Sequence, residues 1–327
     1  MKDLFSVLTC CGAAAAAFLA PHAFAQDKFP AKPIRLVVPL PPGGGADSLA
    51  RIWGDYVARH LGATVVVENR AGANGSIAAA YVATQPADGY TILLATQSNL
   101  ALNRFSYAKL SYDPDQSFAS IGILATTPQV LLANNAVPAN NVADLIRLAK
   151  ASPGKYSYST AGKGNSTHLN MEIFARQVGV DLLNVPYKGS AAALLAVVGG
   201  ETQLTSAVVF SAIPFIKEKK VKPLVVFADK RVPEMPDVPT QAEIGIPKSL
   251  GGGWYGLVAP RGTPDAIIQQ LNAATAKMWA DPESRQKLGK IYMAEPSDKT
   301  VSAVAKSTRQ DAEQWGPLVK SLNLAAQ

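Results

Sequence analysis

The chain has 327 residues, a net charge of +7 at neutral pH and 48% hydrophobic residues. That length exceeds one typical domain and predicts two, each with enough apolar residues for a core. Beyond the N-terminal segment no stretch approaches 18 continuous apolar residues, which argues against a membrane-spanning helix. The densest basic cluster, Lys217, Lys219 and Lys220 around Glu218, has no interleaved aromatics, which argues against nucleic acid as a partner.

Residues 1–25 read as an export signal. Lys2 gives a weak positive start against Asp3, and Leu4 to Ala20 is apolar and alanine-rich. Ala23-Phe24-Ala25 is a small-x-small cleavage site that puts the mature start at Gln26. Both cysteines, Cys10 and Cys11, lie in this leader, and Thr9 stands where a lipid-anchored precursor would carry Gly or Ala. The mature chain therefore has no thiol. That fits an oxidising exterior and rules out disulfides, thiolate catalysis and cysteine–metal sites.

Ile34 to Val38 is apolar and β-branched, as suits a strand covered on both faces. It runs into Pro41-Pro42-Gly43-Gly44-Gly45-Ala46-Asp47, a loop stripped of side chains. A helix follows, with Leu49, Ile52, Trp53, Tyr56, Val57 and Leu61 at helical spacing before Gly62. Bare amides at a helix N-terminus form an anion site that needs no charged side chain. The loop has neither the Gly-Lys-Ser/Thr of a Walker A loop nor the G-x-G-x-x-G spacing of a dinucleotide fingerprint. Taken alone it reads equally well as a tight turn. A strand at Thr64–Glu68, an alanine-rich helix at Gly75–Thr84 and a strand at Tyr90–Ala95 complete a βαβαβ unit, which implies a mostly parallel sheet with helices on both faces.

Strands at Ile121–Leu124 and Val130–Ala133 follow, then a helix through Lys150 capped by Asn140 or Asn141. The strand Tyr156–Ser159 leads into Ala161-Gly162-Lys163-Gly164-Asn165-Ser166 and a helix with Leu169, Ile173, Phe174 and Val178 on one face. Leu182–Val185 leads into Pro186-Tyr187-Lys188-Gly189-Ser190 and an alanine-rich helix, and Leu224–Ala228 is a further strand. Leu250–Gly256 is glycine-rich, which suits a crossing segment. Thr263 is placed to cap a helix with Pro264 at its first position and Ile267, Ile268, Leu271 and Met278 as its buried stripe. Asp281-Pro282-Glu283 opens another helix, and a last one covers roughly Val301–Leu322. Open parallel sheets bind ligands beyond the carboxyl ends of their strands, and two such units facing each other would place three or four Gly/Ser-rich loops around one cleft.

Eight segments, in this order, carry a resemblance: Phe29–Arg35, Val37–Asp47, Val65–Ser76, Ala87–Thr96, Gly162–Leu169, Asn184–Ser190, Pro236–Gly245 and Gly256–Pro264. Together they resemble the tripartite tricarboxylate transporter receptor family, the Bug-type periplasmic solute-binding proteins, across essentially the whole mature chain. The resemblance implies a non-enzymatic α/β protein with the Venus-flytrap fold of periplasmic binding proteins. Domain 1 would comprise 26–125 plus 250–327 and domain 2 would comprise 126–249, with breaks near Ala125 and Leu250. It implies a carboxylate held by backbone amides and ordered waters, then passed by a periplasmic monomer to a two-subunit membrane permease. Presentation of the loaded form to a sensor kinase is the alternative.

On this reading the first contacts are Gly43, Gly44, Gly45, Ala46 and Asp47, with Asp47 better suited to cap the helix than to meet an anion. Thr96, Gln97 and Ser98 follow the third strand. Gly164, Asn165, Ser166, Thr167 and His168 open a helix, where capping and ligand contact can coexist, and His168, a lone histidine, reads first as structural. The family's pattern places Tyr187, Lys188, Gly189 and Ser190 on the cleft, the last two through their backbone, while Lys188 either pairs with a carboxylate or is surface. Ala207 aligns with a position where family members often carry Asp, which disfavours amino acids and favours a plain mono- or dicarboxylate. Citrate-like acids, C4–C6 dicarboxylates and aromatic carboxylates are the candidates. The absence of Trp and Phe from these loops leans toward aliphatic acids, though Tyr187 could stack on a ring. A secreted hydrolase would need a G-x-S-x-G elbow or a triad, and Ser166 and His168 diverge from one helix start. With only two other histidines, His22 and His60, no metal or cofactor is expected.

Overall fold

The computed structural model describes residues 29–228, 230–246, 251 and 253–321; the leader, the cleavage site, Leu250 and Leu322 lie outside the described residues. In chain order the elements are β1 (Ile34–Val38), α1 (Gly45–Leu61), β2 (Val65–Asn69), α2 (Ser76–Ala83), β3 (Thr91–Thr96), α3 (Asn103–Ser106), β4 (Phe118–Thr126), β5 (Gln129–Asn134), α4 (Val142–Ala151) and β6 (Ser157–Thr160). Then come α5 (Ser166–Val178), β7 (Leu183–Pro186), α6 (Ser190–Gly199), β8 (Leu204–Val208), α7 (Val209–Lys217), β9 (Val221–Phe227), β10 (Trp254–Pro260), α8 (Asp265–Met278), α9 (Pro282–Lys290) and α10 (Ala303–Ser321).

The strands form two five-stranded sheets, ordered β2-β1-β3-β10-β4 and β7-β6-β8-β5-β9. In the first, β1 pairs parallel with β2 and β3, while β10 runs antiparallel between β3 and β4. In the second, β6 pairs parallel with β7 and β8, while β5 runs antiparallel between β8 and β9. Each sheet thus has one reversed strand. In both it is the strand reached as the chain crosses over: β5 follows β4 of the first sheet, and β10 follows β9 of the second.

Both sheets are covered on both faces, which explains their continuous apolar runs. On the first, one core joins Ile34, Leu36 and Leu94 to Trp53, Leu271 and Met278 of α1 and α8. The other joins Val37, Leu93 and Val258 to Ala78 and Val82 of α2 and to Val304 of α10. On the second sheet Leu131, Tyr158 and Leu204 pack with Phe174 of α5 and Leu145 of α4. Val130, Leu132 and Ala207 pack with Val197 of α6 and Ile213 of α7. A fifth cluster joins the two halves: Ala101 and Leu102, near α3, meet Leu169 and Ile173 of α5 and Trp315 and Val319 of α10.

Local signals acted largely as expected. Gly62 ends α1 in the left-handed conformation with φ 68°, and Asn141 rather than Asn140 caps α4, accepting from the Asp144 amide at 2.8 Å. Thr263 does not cap α8. Its hydroxyl donates to the Pro260 carbonyl at 2.8 Å, closing the preceding turn, and Pro264 holds the cap position. The sequence reading had no β8, α7 or α3, and no π-helical turn at Ser98–Leu102.

Candidate ligand cleft

The carboxyl ends of β1, β2 and β3 face those of β6, β7 and β8. Two observations fix this. The Asn74 side chain, after β2, donates to the Lys163 carbonyl after β6 at 3.4 Å. A Cβ built on Gly45 would lie 3.5 Å from the ring of Phe210, which follows β8. The loops after β1 and β2 therefore meet the segments after β6 and β8.

On the first edge the glycine loop is held by Asp47, which is 4% exposed. Its carboxylate accepts from the Gly43 amide at 3.1 Å, from Arg51 Nε and Nη2 at 3.0 and 3.1 Å, and from Asn69 Nδ2 at 3.1 Å. Burial pushes the Asp47 pKa up, but these donors outweigh it and hold the carboxyl below its usual range. Gly43 sits at φ +83°, open to glycine without strain. Gly44 occupies the N-cap of α1 and offers no side-chain cap, so the first-turn amides of Gly45 and Ala46 are left to an outside acceptor. Asp47 and the Gly43 amide are spent on the loop itself.

After β3, Thr96 and Asn99 bond reciprocally: the Thr96 amide donates to Asn99 Oδ1 at 2.9 Å and the Asn99 amide to Thr96 Oγ1 at 3.2 Å. Gln97 donates through Nε2 to Asp311 of α10 at 3.0 Å, and the same Oδ2 accepts from Trp254 Nε1 at 2.8 Å. Gln97 Oε1 is buried without a partner, and Ser98 is buried at the start of the π-helical turn.

On the second edge Asn165 caps α5, accepting from the Thr167 amide at 3.0 Å, and Thr167 Oγ1 accepts from the Ala161 amide at 3.1 Å. His168 is 3% exposed and its Nδ1 accepts from the Gly164 amide at 3.1 Å. It stacks on Tyr158, whose hydroxyl donates to Glu172, and Nε2 lies 3.8 Å from Glu172 Oε1. Burial pulls the His168 pKa down and Lys163 adds to this, while Glu172 opposes it. His168 is a strut under the loop. Ser166 Oγ accepts from Gln129 Nε2 at 3.2 Å. Gln129 Oε1 in turn accepts from Asn170 and Ser206, both at 2.8 Å.

The Tyr187 hydroxyl donates to Glu201 at 2.9 Å, and the Gly189 amide donates to the Tyr187 carbonyl at 3.0 Å. Lys188 is exposed. Gly189 is the N-cap of α6 and gives no side-chain cap, so Ser190 and its neighbours present the first-turn amides there. The Ala207 side chain lies in the apolar core beside Val130 and Val197 and puts no group into the cleft.

Phe210 and Met293 carried no sequence signal for the cleft. The Met293 Cε would stand 3.2 Å from a Cβ on Gly45, beside the Phe210 ring. A separate cavity of about 530 Å³, walled by Arg104, Asp115, Val258, Thr308 and Glu313, contains none of the predicted contact residues. No group of three or more His, Cys, Asp or Glu residues among the described residues can hold a metal.

Comparison with known proteins places this geometry. The family model of the tripartite tricarboxylate transporter family receptor matches residues 49–324. A UPF0065 protein from the tcbD-tcbE intergenic region of Pseudomonas sp. strain P51 is 37% identical over 304 residues, covering 92% of this chain and 89% of the relative. The structure of R. palustris Rpa4515 with adipate superposes with a TM-score of 0.83 at 33% identity, covering 91% of this chain and 100% of the other. The structure of the periplasmic binding protein BugD superposes with a TM-score of 0.80 at 32% identity, covering 91% and 100%. The two mixed sheets, their helical layers and the matched sequence agree: this chain belongs to the tripartite tricarboxylate transporter receptor family, with the two-domain α/β fold of periplasmic binding proteins.

Proposed function

We propose that the chain is an extracytoplasmic receptor that takes a small organic carboxylate into the cleft and delivers it to the membrane subunits of a tripartite transporter. The observation that carries this reading is the N-terminus of α1. It opens on the cleft with no capping side chain, in a loop fixed from behind by Asp47. A carboxylate there receives charge-assisted bonds from the Gly44, Gly45 and Ala46 region and the favourable end of a 17-residue helix. Ser166 and the α6 amides from Ser190 onward supply the facing contacts, with Thr96, Gln97 and Ser98 beside them. Asp47, Asn165, Thr167 and His168 position these groups. Rpa4515, similar over its whole length, was solved with adipate, which supports an acid as the ligand class. The arrangement binds and releases without chemistry.

The proposed domain limits are 26–125 plus 250–327 and 126–249; the division of the strands into two sheets supports two units, with Thr126 still the last residue of β4 in the first sheet, and cleavage after Ala25 delivers the chain to the periplasm. The test is a thermal-shift series on residues 26–327 with carboxylates, their amides and uncharged analogues. Bound ligand raises the melting temperature by mass action. A shift with an acid and none with its amide is expected. Shifts with amides as large as with acids would overturn the carboxylate site.

A further inference from the structure

Immediately beside the proposed carboxylate seat the cleft is apolar. Gly45, whose amide belongs to that seat, is flanked by the Phe210 ring and the Met293 methyl group, with a Cβ placed there falling 3.5 and 3.2 Å from them. Phe210 comes from the second sheet's side and Met293 from the first sheet's core, so the two halves of the protein bring an apolar wall together at this point. The stretch that presents Phe210 has no charged residue from Leu204 through Ile216. Ala207 on that stretch is sealed in the core. The acid behind the seat is committed: Asp47 is taken up by its four donors. Arg70 is held by Glu68 at 2.6 Å and lies over the Tyr81 ring.

We infer that Phe210 and Met293 select acids whose body next to the carboxylate is plain hydrocarbon, alkyl or aryl, over acids bearing a hydroxyl or ammonium at the adjacent carbon. This rests on the carboxylate reading above. A hydroxyl pressed against this wall surrenders its water to a ring face and a methyl group, and the carboxylate behind the seat, Asp47, is taken up by its own four donors rather than free for an ammonium. Apolar surfaces discriminate against an added hydroxyl by about 10–100-fold, and that is the scale expected here.

Calorimetric titration of residues 26–327 with three matched series tests it: hexanoate, 2-hydroxyhexanoate and 2-aminohexanoate; adipate with its 2-hydroxy and 2-amino forms; succinate, malate and aspartate. The unsubstituted acid of whichever series binds should be at least about 10-fold tighter. Phe210→Asn should narrow that ratio to under about threefold, and Phe210→Leu should restore it. Hydroxy or amino acids that bind as tightly as the parent, or a ratio unmoved in Phe210→Asn, would overturn the inference while leaving a carboxylate receptor. If no acid in any series binds, both readings fall together.

Discussion

Replacing Asp47 with Ala isolates the device that shapes the cleft. The carboxylate accepts from the Gly43 amide, from Asn69 Nδ2 and twice from Arg51, and its side chain is 6% exposed. Arg51 is more than half exposed and regains water, so its pair contributes at most about 1 kcal/mol. The Gly43 amide and the Asn69 amide lose acceptors in a part-buried setting, at about 1–3 kcal/mol each. The total is about 2–7 kcal/mol, or a melting temperature lower by at least roughly 4 °C. Asp47→Asn keeps one acceptor oxygen and should lose about half of this.

The pH dependence has a definite sign. The folded pKa of Asp47 lies below the unfolded value of 3.8, so its contribution is full above that value. It fades as pH falls through the folded value. Scanning fluorimetry of wild type and Asp47→Ala should give a constant gap from pH 7 to about 5 and a narrowing gap below 3.8. A gap under about 2 °C at pH 7 would refute the assignment of Asp47 as the anchor of the loop.

His168 predicts the opposite protonation chemistry with the same direction in pH. Its folded pKa is depressed below 6.5, so wild-type stability relative to His168→Gln should decline as pH falls below 6.5 toward the folded value, and a flat difference from pH 8 to 5 would contradict it. Asp311→Ala strips Trp254 Nε1 and Gln97 Nε2 of their acceptor and should lower stability by about 2–4 kcal/mol in urea titration, with Asp311→Asn in between. Gly45→Ala gains about 0.5–1 kcal/mol of helix propensity but crowds Met293 and Phe210, so it should leave the melting temperature near wild type while weakening acid binding in titration. Gly316→Ala drives a Cβ to 2.5 Å from the Phe105 ring and should lower stability by about 1–3 kcal/mol.

The fold was legible where one signal decided one element. β1 and β3 are short apolar runs and α1 has a clear helical apolar stripe, each with glycine or turn stops, and their observed limits lie within a residue or two of the expected ones where those were stated. β8 was hidden because its centre is polar. Thr205 and Ser206 are buried, yet Thr205 donates to the Ser159 carbonyl at 2.9 Å and Ser206 to Gln129, so the strand has no apolar alternation to read. α7 was hidden by Pro214 inside it. With both missing, Phe210 had no place in the expected cleft.

The loops of the cleft were legible as loops, but which of their atoms remain for a ligand was not. That depends on hydrogen bonds set by the tertiary structure. Asp47 already reads in sequence as a structural group rather than an anion contact, but Gly43 looks like Gly45 and Ala46, and only its bond to the Asp47 carboxylate shows that its amide is consumed. Likewise nothing in Pro186-Tyr187-Lys188-Gly189 announces that Tyr187 reaches Glu201 or that the Gly189 amide closes its own turn.

This division of labour bears on how such a cleft binds. Many polar side chains in the candidate loops bond to loop backbone, while the two helix starts of α1 and α6 have no side-chain cap, and on the proposed reading their amides serve the ligand. A backbone held this way loses little conformational freedom on binding, so weak individual contacts can still give useful affinity. It also separates two roles. The amides recognise charge and are nearly indifferent to what the acid carries. Selectivity then falls to the few side chains that meet only across the cleft. Phe210 reaches Gly45 from the opposite half of the protein, so the ligand contact inferred for it would exist only when the halves are close. Such a contact differs between open and closed states, and only an interaction of that kind lets a ligand shift the protein toward closure. A substitution at Phe210 should therefore change ligand preference and the extent of closure together, whereas one at Asp47 should weaken all acids alike.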